Sequence, residues 1–216
     1  MTRVKICGIT RERDLERAVD AGADAVGVVC DVPIETPRSV STARATELVA
    51  ATPPFVTAVL VTMPAGPERA IELVEAVEPD AVQIHGEMRP GDLAYVRAKV
   101  DARVMLAVGA DRVDTAGIYD DVVDALVVDS VGDDGGGGTG ETHDWERTHA
   151  ATASLSSPVV LAGGLTPENV SGAVETVSPF AVDVASGVEA EGGVKDGAAV
   201  RSFVARAKRG RHPVEP

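Results

Sequence analysis

Six short stretches of the 216-residue chain carry groups that could do chemistry. Ile6-Cys7-Gly8 closes the first apolar run with a thiol, and Val127-Val128-Asp129-Ser130 closes a later one with a carboxyl. A Cys so placed is either a small buried hydrophobe or, with its pKa lowered, a thiolate that acts as nucleophile or base. An Asp that ends a buried run is costly unless it is paired or used. Partial burial would raise its pKa and suit it to general-acid work near neutrality. Gly163-Gly164 and Ala185-Ser186-Gly187 each follow directly on an apolar run. Glycine lets backbone approach a ligand closely, and N–H groups at a helix start hold anions, so the two turns together point to phosphate. Arg38, in Thr36-Pro37-Arg38-Ser39, is a surface residue or a fork for a substrate carboxylate. Gln83 and His85, in Val82-Gln83-Ile84-His85, alternate onto one face, as satisfied core polar groups or as site lining.

These groups need a scaffold that gathers them. Short, Val-rich, near-continuous apolar runs lie at 4–7, 25–29, 55–61, 81–84, 104–108, 125–128, 159–162 and 180–184. They read as strands buried on both faces. Between them the period changes to the helical one, as in Leu15, Ala18, Val19 and Gly22, or Val170, Ala173, Val174 and Val177. Thr10, Ser41, Asp144 and Thr166-Pro167-Glu168 are expected to start helices, and the last helix to begin near Asp196. Eight strands alternating with eight helices are the grammar of a parallel α/β fold. In this length they favour one closed (βα)8 TIM barrel over residues 1–210, with a short flexible tail at 211–216 and an active-site loop at 132–140. Active sites of such barrels lie at the carboxyl ends of the strands, with phosphate after strands seven and eight. Cys7, His85, Asp129, Gly163-Gly164 and Ser186-Gly187 sit at such ends, and Arg38 lies on the loop before the second helix.

Composition narrows the partners. Acidic residues number 34 and basic residues 20, a formal charge of −14, with only four Lys. That excludes nucleic acid as the main partner. No secretory leader and no apolar run of spanning length is read, so no membrane partner and a cytoplasmic location are expected. Two cysteines make neither a disulfide framework nor a thiolate zinc site. Cys7 and Cys30 close neighbouring strands, which makes a redox-sensitive disulfide conceivable. The acidic excess is awkward for binding a phosphorylated substrate, so the site must be locally positive. The excess itself is expected to serve life in high salt. Monomer and homodimer both stay open.

Together the segments VKICGIT (4–10), GADAVG (22–27), TPRSVS (36–41), VQIHGE (82–87), VVDS (127–130), GGTGETHDW (137–145), LAGGLTPENV (161–170) and PFAVDVASGVE (179–189) resemble the phosphoribosylanthranilate isomerase family. The resemblance runs in order from first strand to last. It implies an Amadori rearrangement of N-(5-phosphoribosyl)anthranilate in tryptophan biosynthesis, with no metal and no organic cofactor. It makes Cys7 the general base and Asp129 the general acid. It gives Arg38 the anthranilate carboxylate, Gly163, Gly164, Ser186 and Gly187 the phosphate, and Gln83, His85 and Asp183 places near the substrate. The chain departs from the family in a longer, more acidic approach to Arg38 and in His143 where the family has Phe. Rival readings fit less well. A histidine-pathway aminoaldose isomerase wants a carboxylate where Cys7 stands, a metal-dependent epimerase wants clustered His and Asp, and a Schiff-base aldolase wants a Lys less deep than Lys5. A barrel with lapsed chemistry would have no reason to keep Cys7, Asp129 and both glycine turns.

Overall fold

The computed structural model describes residues 1–130 and 142–209. Eight parallel strands form its centre: β1 (Arg3–Cys7), β2 (Ala25–Cys30), β3 (Thr57–Thr62), β4 (Ala81–His85), β5 (Arg103–Gly109), β6 (Ala125–Asp129), β7 (Val159–Leu161) and β8 (Ala181–Val184). Each pairs with its successor, and β8 returns to β1, so the sheet closes into a barrel. The connections are α1 (Glu12–Asp20), α2 (Thr42–Ala50), α3 (Pro67–Val77), α4 (Pro90–Lys99), a 3₁₀ segment (Ala110–Tyr119), α5 (Trp145–Thr152), α6 (Val170–Val177) and α7 (Gly197–Arg209). The (βα)8 expectation holds, with one connection wound more tightly than an α-helix.

Period two explains the layers. On β2, Val26, Val28 and Cys30 face outward into the large core between strands and helices, where Leu15, Leu48, Leu73, Leu93 and Phe203 meet them. Ala25 and Val29 face inward with Cys7, Val59, Val61 and Ala81, and a second inner cluster gathers Val127, Val160, Ala162 and Ala181. Small side chains suit the narrow barrel interior and leave room above them. The same alternation removes the disulfide that sequence order made conceivable. Cys7 points into the barrel, while Cys30 points out and contacts Thr42 Oγ1 at 3.6 Å; both thiols are free.

Several boundaries differ from expectation for local reasons. The third strand starts at Thr57, because Phe55 turns through a left-handed φ of 72° and is fully exposed. Ser41 and Asp144 cap as expected, accepting from the N–H groups of Arg44 and Arg147. Asp196 accepts from Ala198 and Ala199 ahead of α7. Thr10 does not cap α1; its hydroxyl donates to the Gly193 carbonyl instead. Thr166 binds the Glu168 N–H within a turn, and α6 starts only at Val170. Two additions have no counterpart in the apolar pattern: a two-residue strand at Ser39–Val40 beside β2, and a hairpin of Glu189–Glu191 with Val194–Lys195 after β8. The expected active-site loop at 132–140 and the tail at 211–216 lie outside the described residues. Among the described residues, no helix is long and apolar enough to cross a membrane.

Candidate active site

Barrel register builds the floor of the site. Lys5 and Asp183 are direct partners across β1 and β8, and Gln83 projects from β4. The buried Lys5 ammonium donates to Asp183 Oδ2 at 2.7 Å and to Gln83 Oε1 at 2.9 Å. Three polar groups from three strands thus pair where they are buried, as burial demands. One turn up the same face of β1 comes Cys7, and at the ends of β6 and β4 come Asp129 and His85. Above this floor a cavity opens at the carboxyl face of the barrel. All ten residues singled out from sequence line it: Cys7, Arg38, Gln83, His85, Asp129, Gly163, Gly164, Asp183, Ser186 and Gly187.

Burial tunes the titrating groups. Asp129 is pushed up to about 7, first by burial and next by the negative Asp183, with Lys5 and the Ser130 N–H offsetting part of this. Its Oδ1 is buried and finds no partner among the described residues. The carboxyl is therefore partly protonated at neutral pH. Burial also pushes the Cys7 thiol up, and Asp183 adds to that, while Lys5 and Lys195 favour the thiolate. His85 is held below its usual range, again by burial first and then by Lys5, so its imidazole is neutral near pH 7.

The side expected to hold anions differs more from expectation. Arg38 does not stand free. Its Nε and Nη2 grip Glu189 Oε1 and Oε2 at 2.9 and 2.8 Å. That uses one edge of the guanidinium and leaves the Nη1 edge, two donors plus one on Nη2, for a ligand. The Gly163-Gly164 turn has φ of 85° and 62°. A Cβ on Gly163 would lie 2.3 Å from the Ser130 nitrogen, so this glycine also lets the β7 loop pack against the residue beside Asp129. Lys5, Glu189 and Lys195 do not stand out in the sequence as site residues. One signal is present: of only four lysines, Lys5 lies inside the first motif segment, and it and Lys195 are buried here.

An acid and a thiol facing one cavity at the carboxyl mouth of a parallel barrel define a (βα)8-barrel enzyme. A family model described as N-(5'-phosphoribosyl)anthranilate (PRA) isomerase matches residues 4–206, and the chain belongs to that family of isomerases. It is 63% identical to the N-(5'-phosphoribosyl)anthranilate isomerase of Halobacterium salinarum over 96% of each chain. It is 61% identical to that of Natronomonas pharaonis over 94% of this chain and 97% of the relative. Both organisms are halophilic archaea. Among solved structures, the phosphoribosyl anthranilate isomerase of Thermotoga maritima superposes with a TM-score of 0.86 at 37% identity, covering 97% of this chain and all of that one. A structure described as this isomerase in complex with reduced 1-(o-carboxyphenylamino)-1-deoxyribulose 5-phosphate gives a TM-score of 0.84 at 35% identity, with the same coverage.

Proposed function

We propose that the chain converts N-(5-phosphoribosyl)anthranilate into 1-(2-carboxyphenylamino)-1-deoxyribulose 5-phosphate in tryptophan biosynthesis. The observation that carries this reading is that Cys7, Asp129, Arg38 and both glycine turns line one cavity. Asp129 donates its proton to the furanose ring oxygen, the C1–O bond breaks, and the nitrogen lone pair forms an iminium. Cys7 then removes the proton from C2, and the electrons of that C–H bond neutralise the iminium to an enolamine. The enolamine tautomerises to the ketone. Cys7 must enter this step as the thiolate, its own proton released to solvent; burial disfavours that form and the Lys5 and Lys195 charges favour it. Arg38 offers its free edge to the anthranilate carboxylate. The backbone at Gly163-Gly164 and Ser186-Gly187 receives the phosphate. Asp183, whose Oδ1 has no partner among the described residues, lines the cavity and offers an acceptor near the substrate. A cytoplasmic location follows from a phosphorylated biosynthetic substrate, and the chain acts as monomer or homodimer.

The test is loss of anthranilate-type fluorescence when purified protein meets the substrate. A folded chain without turnover overturns the reading. Cys7→Ser and Asp129→Asn are each expected to lower kcat by about 10²-fold or more, with little change in binding. An Asp129→Asn enzyme at near-full rate would remove Asp129 from the acid role.

A further inference from the structure

The Arg38–Glu189 pair has a third member. Lys195, at the end of the hairpin after β8, is one of the largest fully buried side chains in the molecule. Its ammonium lies 2.7 Å from Glu189 Oε1 and 3.1 Å from the Ala185 carbonyl oxygen. Its backbone is fixed from the other side, since its N–H reaches the buried Asp14 at 3.3 Å and its carbonyl accepts from Arg17 at 2.7 Å. Lys195 itself does not line the cavity.

We propose that Lys195 is a positioning residue that keeps the anion-holding side of the cavity positive and aims both of its edges, the Arg38 fork and the Ser186 N–H. The proposal rests on the reading of the cavity given above and deepens it.

Arg38 and Glu189 alone form a neutral pair, which offers no net attraction to a carboxylate or a phosphate. Lys195 shares Glu189 and returns the trio to a net charge of +1. In a chain of net −14, that charge is needed beside the site. Because Lys195 is enclosed by protein, its field is little screened by salt. Lys195 also acts through geometry, in two directions. It holds Glu189 Oε1, and Glu189 holds the inner edge of Arg38, so the outer edge is presented in one orientation. In the other direction, Lys195 draws the Ala185 carbonyl toward itself. No described peptide bond is cis, and in a trans unit the carbonyl and the following N–H point opposite ways. Holding the Ala185 oxygen on the Lys195 side therefore fixes the direction of the Ser186 N–H, in a residue that lines the cavity.

The experiment measures affinity for the reduced product analogue, for anthranilate and for inorganic phosphate by calorimetry. It compares wild type, Lys195→Met, Glu189→Gln and the double variant. Lys195→Met is expected to weaken the analogue at least tenfold and to weaken both fragments. The double variant removes a whole buried pair rather than half of one, so it folds more readily and again carries a net +1. It is expected to regain part of the analogue affinity lost in Lys195→Met, which loss of a merely structural lysine would not allow. If Lys195→Met does not fold, Glu189→Gln and the double variant make the same comparison, with phosphate weaker in the double. Unchanged affinities, a weakening of only one fragment, or a double variant weaker than Lys195→Met overturn the proposal. Turnover by the wild type is scored separately. Its absence overturns the proposed reaction and leaves the affinity comparison to decide the role of Lys195.

Discussion

Asp129 illustrates what a single residue must give up to act. A carboxyl kept near 7 in the folded chain and at 3.8 in the unfolded one binds its proton more tightly when folded. Its contribution to stability is therefore full below about pH 4 and is lost as pH rises through about 7. Above that, the buried carboxylate destabilises the fold by up to about 4 kcal/mol. Asp129→Asn should thus melt several degrees higher than wild type at pH 8, with the gap closing toward pH 5. Thermal melts at both pH values check this, and a gap that does not depend on pH would contradict the assigned burial. Individual residues are most legible in the sequence at strand ends. An Asp or Cys that closes an apolar run announces its depth, and period two announces its face. Gln83 shows the limit. Its face is legible, but its partner Lys5 lies 78 positions away and is set by barrel register. No local pattern records that.

The elements carry the site by packing loop on loop. The turn after β8 touches the turn after β7 so closely that a Cβ on Gly187 would lie 1.9 Å from the Leu165 carbonyl oxygen. That atom is backbone and cannot swing aside. Gly187→Ala should therefore separate the two turns, costing about 3 kcal/mol of stability and much of the affinity for phosphate. Chemical denaturation and phosphate titration measure the two effects, and a variant with native values for both would show that the turns do not depend on each other. Most helices are legible because their apolar spacing is regular. The hairpin at 189–195 is not, because Glu189-Ala190-Glu191 has no strand-like apolar alternation and the partner strand is two residues long. Thr10 stands one residue before the N-cap position, which Arg11 occupies, and its hydroxyl donates to the Gly193 carbonyl of the hairpin.

For the whole molecule, the −14 charge sets two opposing salt effects. Exposed ion pairs such as Arg44 with Glu12 and Glu47, Arg69 with Glu72, and Arg89 with Asp92 weaken as salt rises. Each such pair is worth about 0–1 kcal/mol, so their loss is small. Self-repulsion among the unmatched acids acts over the whole surface and is screened within about 3 Å at molar salt. Relief of that repulsion outweighs the weakened pairs, and Tm should climb between low and molar sodium chloride. The same field bears on the reaction. At low salt it repels a substrate that carries both carboxylate and phosphate, whereas the enclosed Arg38, Glu189 and Lys195 trio is little affected by added ions. Apparent KM should therefore fall, not rise, from low to molar salt, while kcat changes little. An enzyme that recruited its substrate with an exposed basic surface would show the reverse. Steady-state rates across a salt series, together with melts in the same buffers, decide between them. A Tm that stays flat or a KM that climbs with salt would mean that the acidic excess has no part in adapting this barrel to brine.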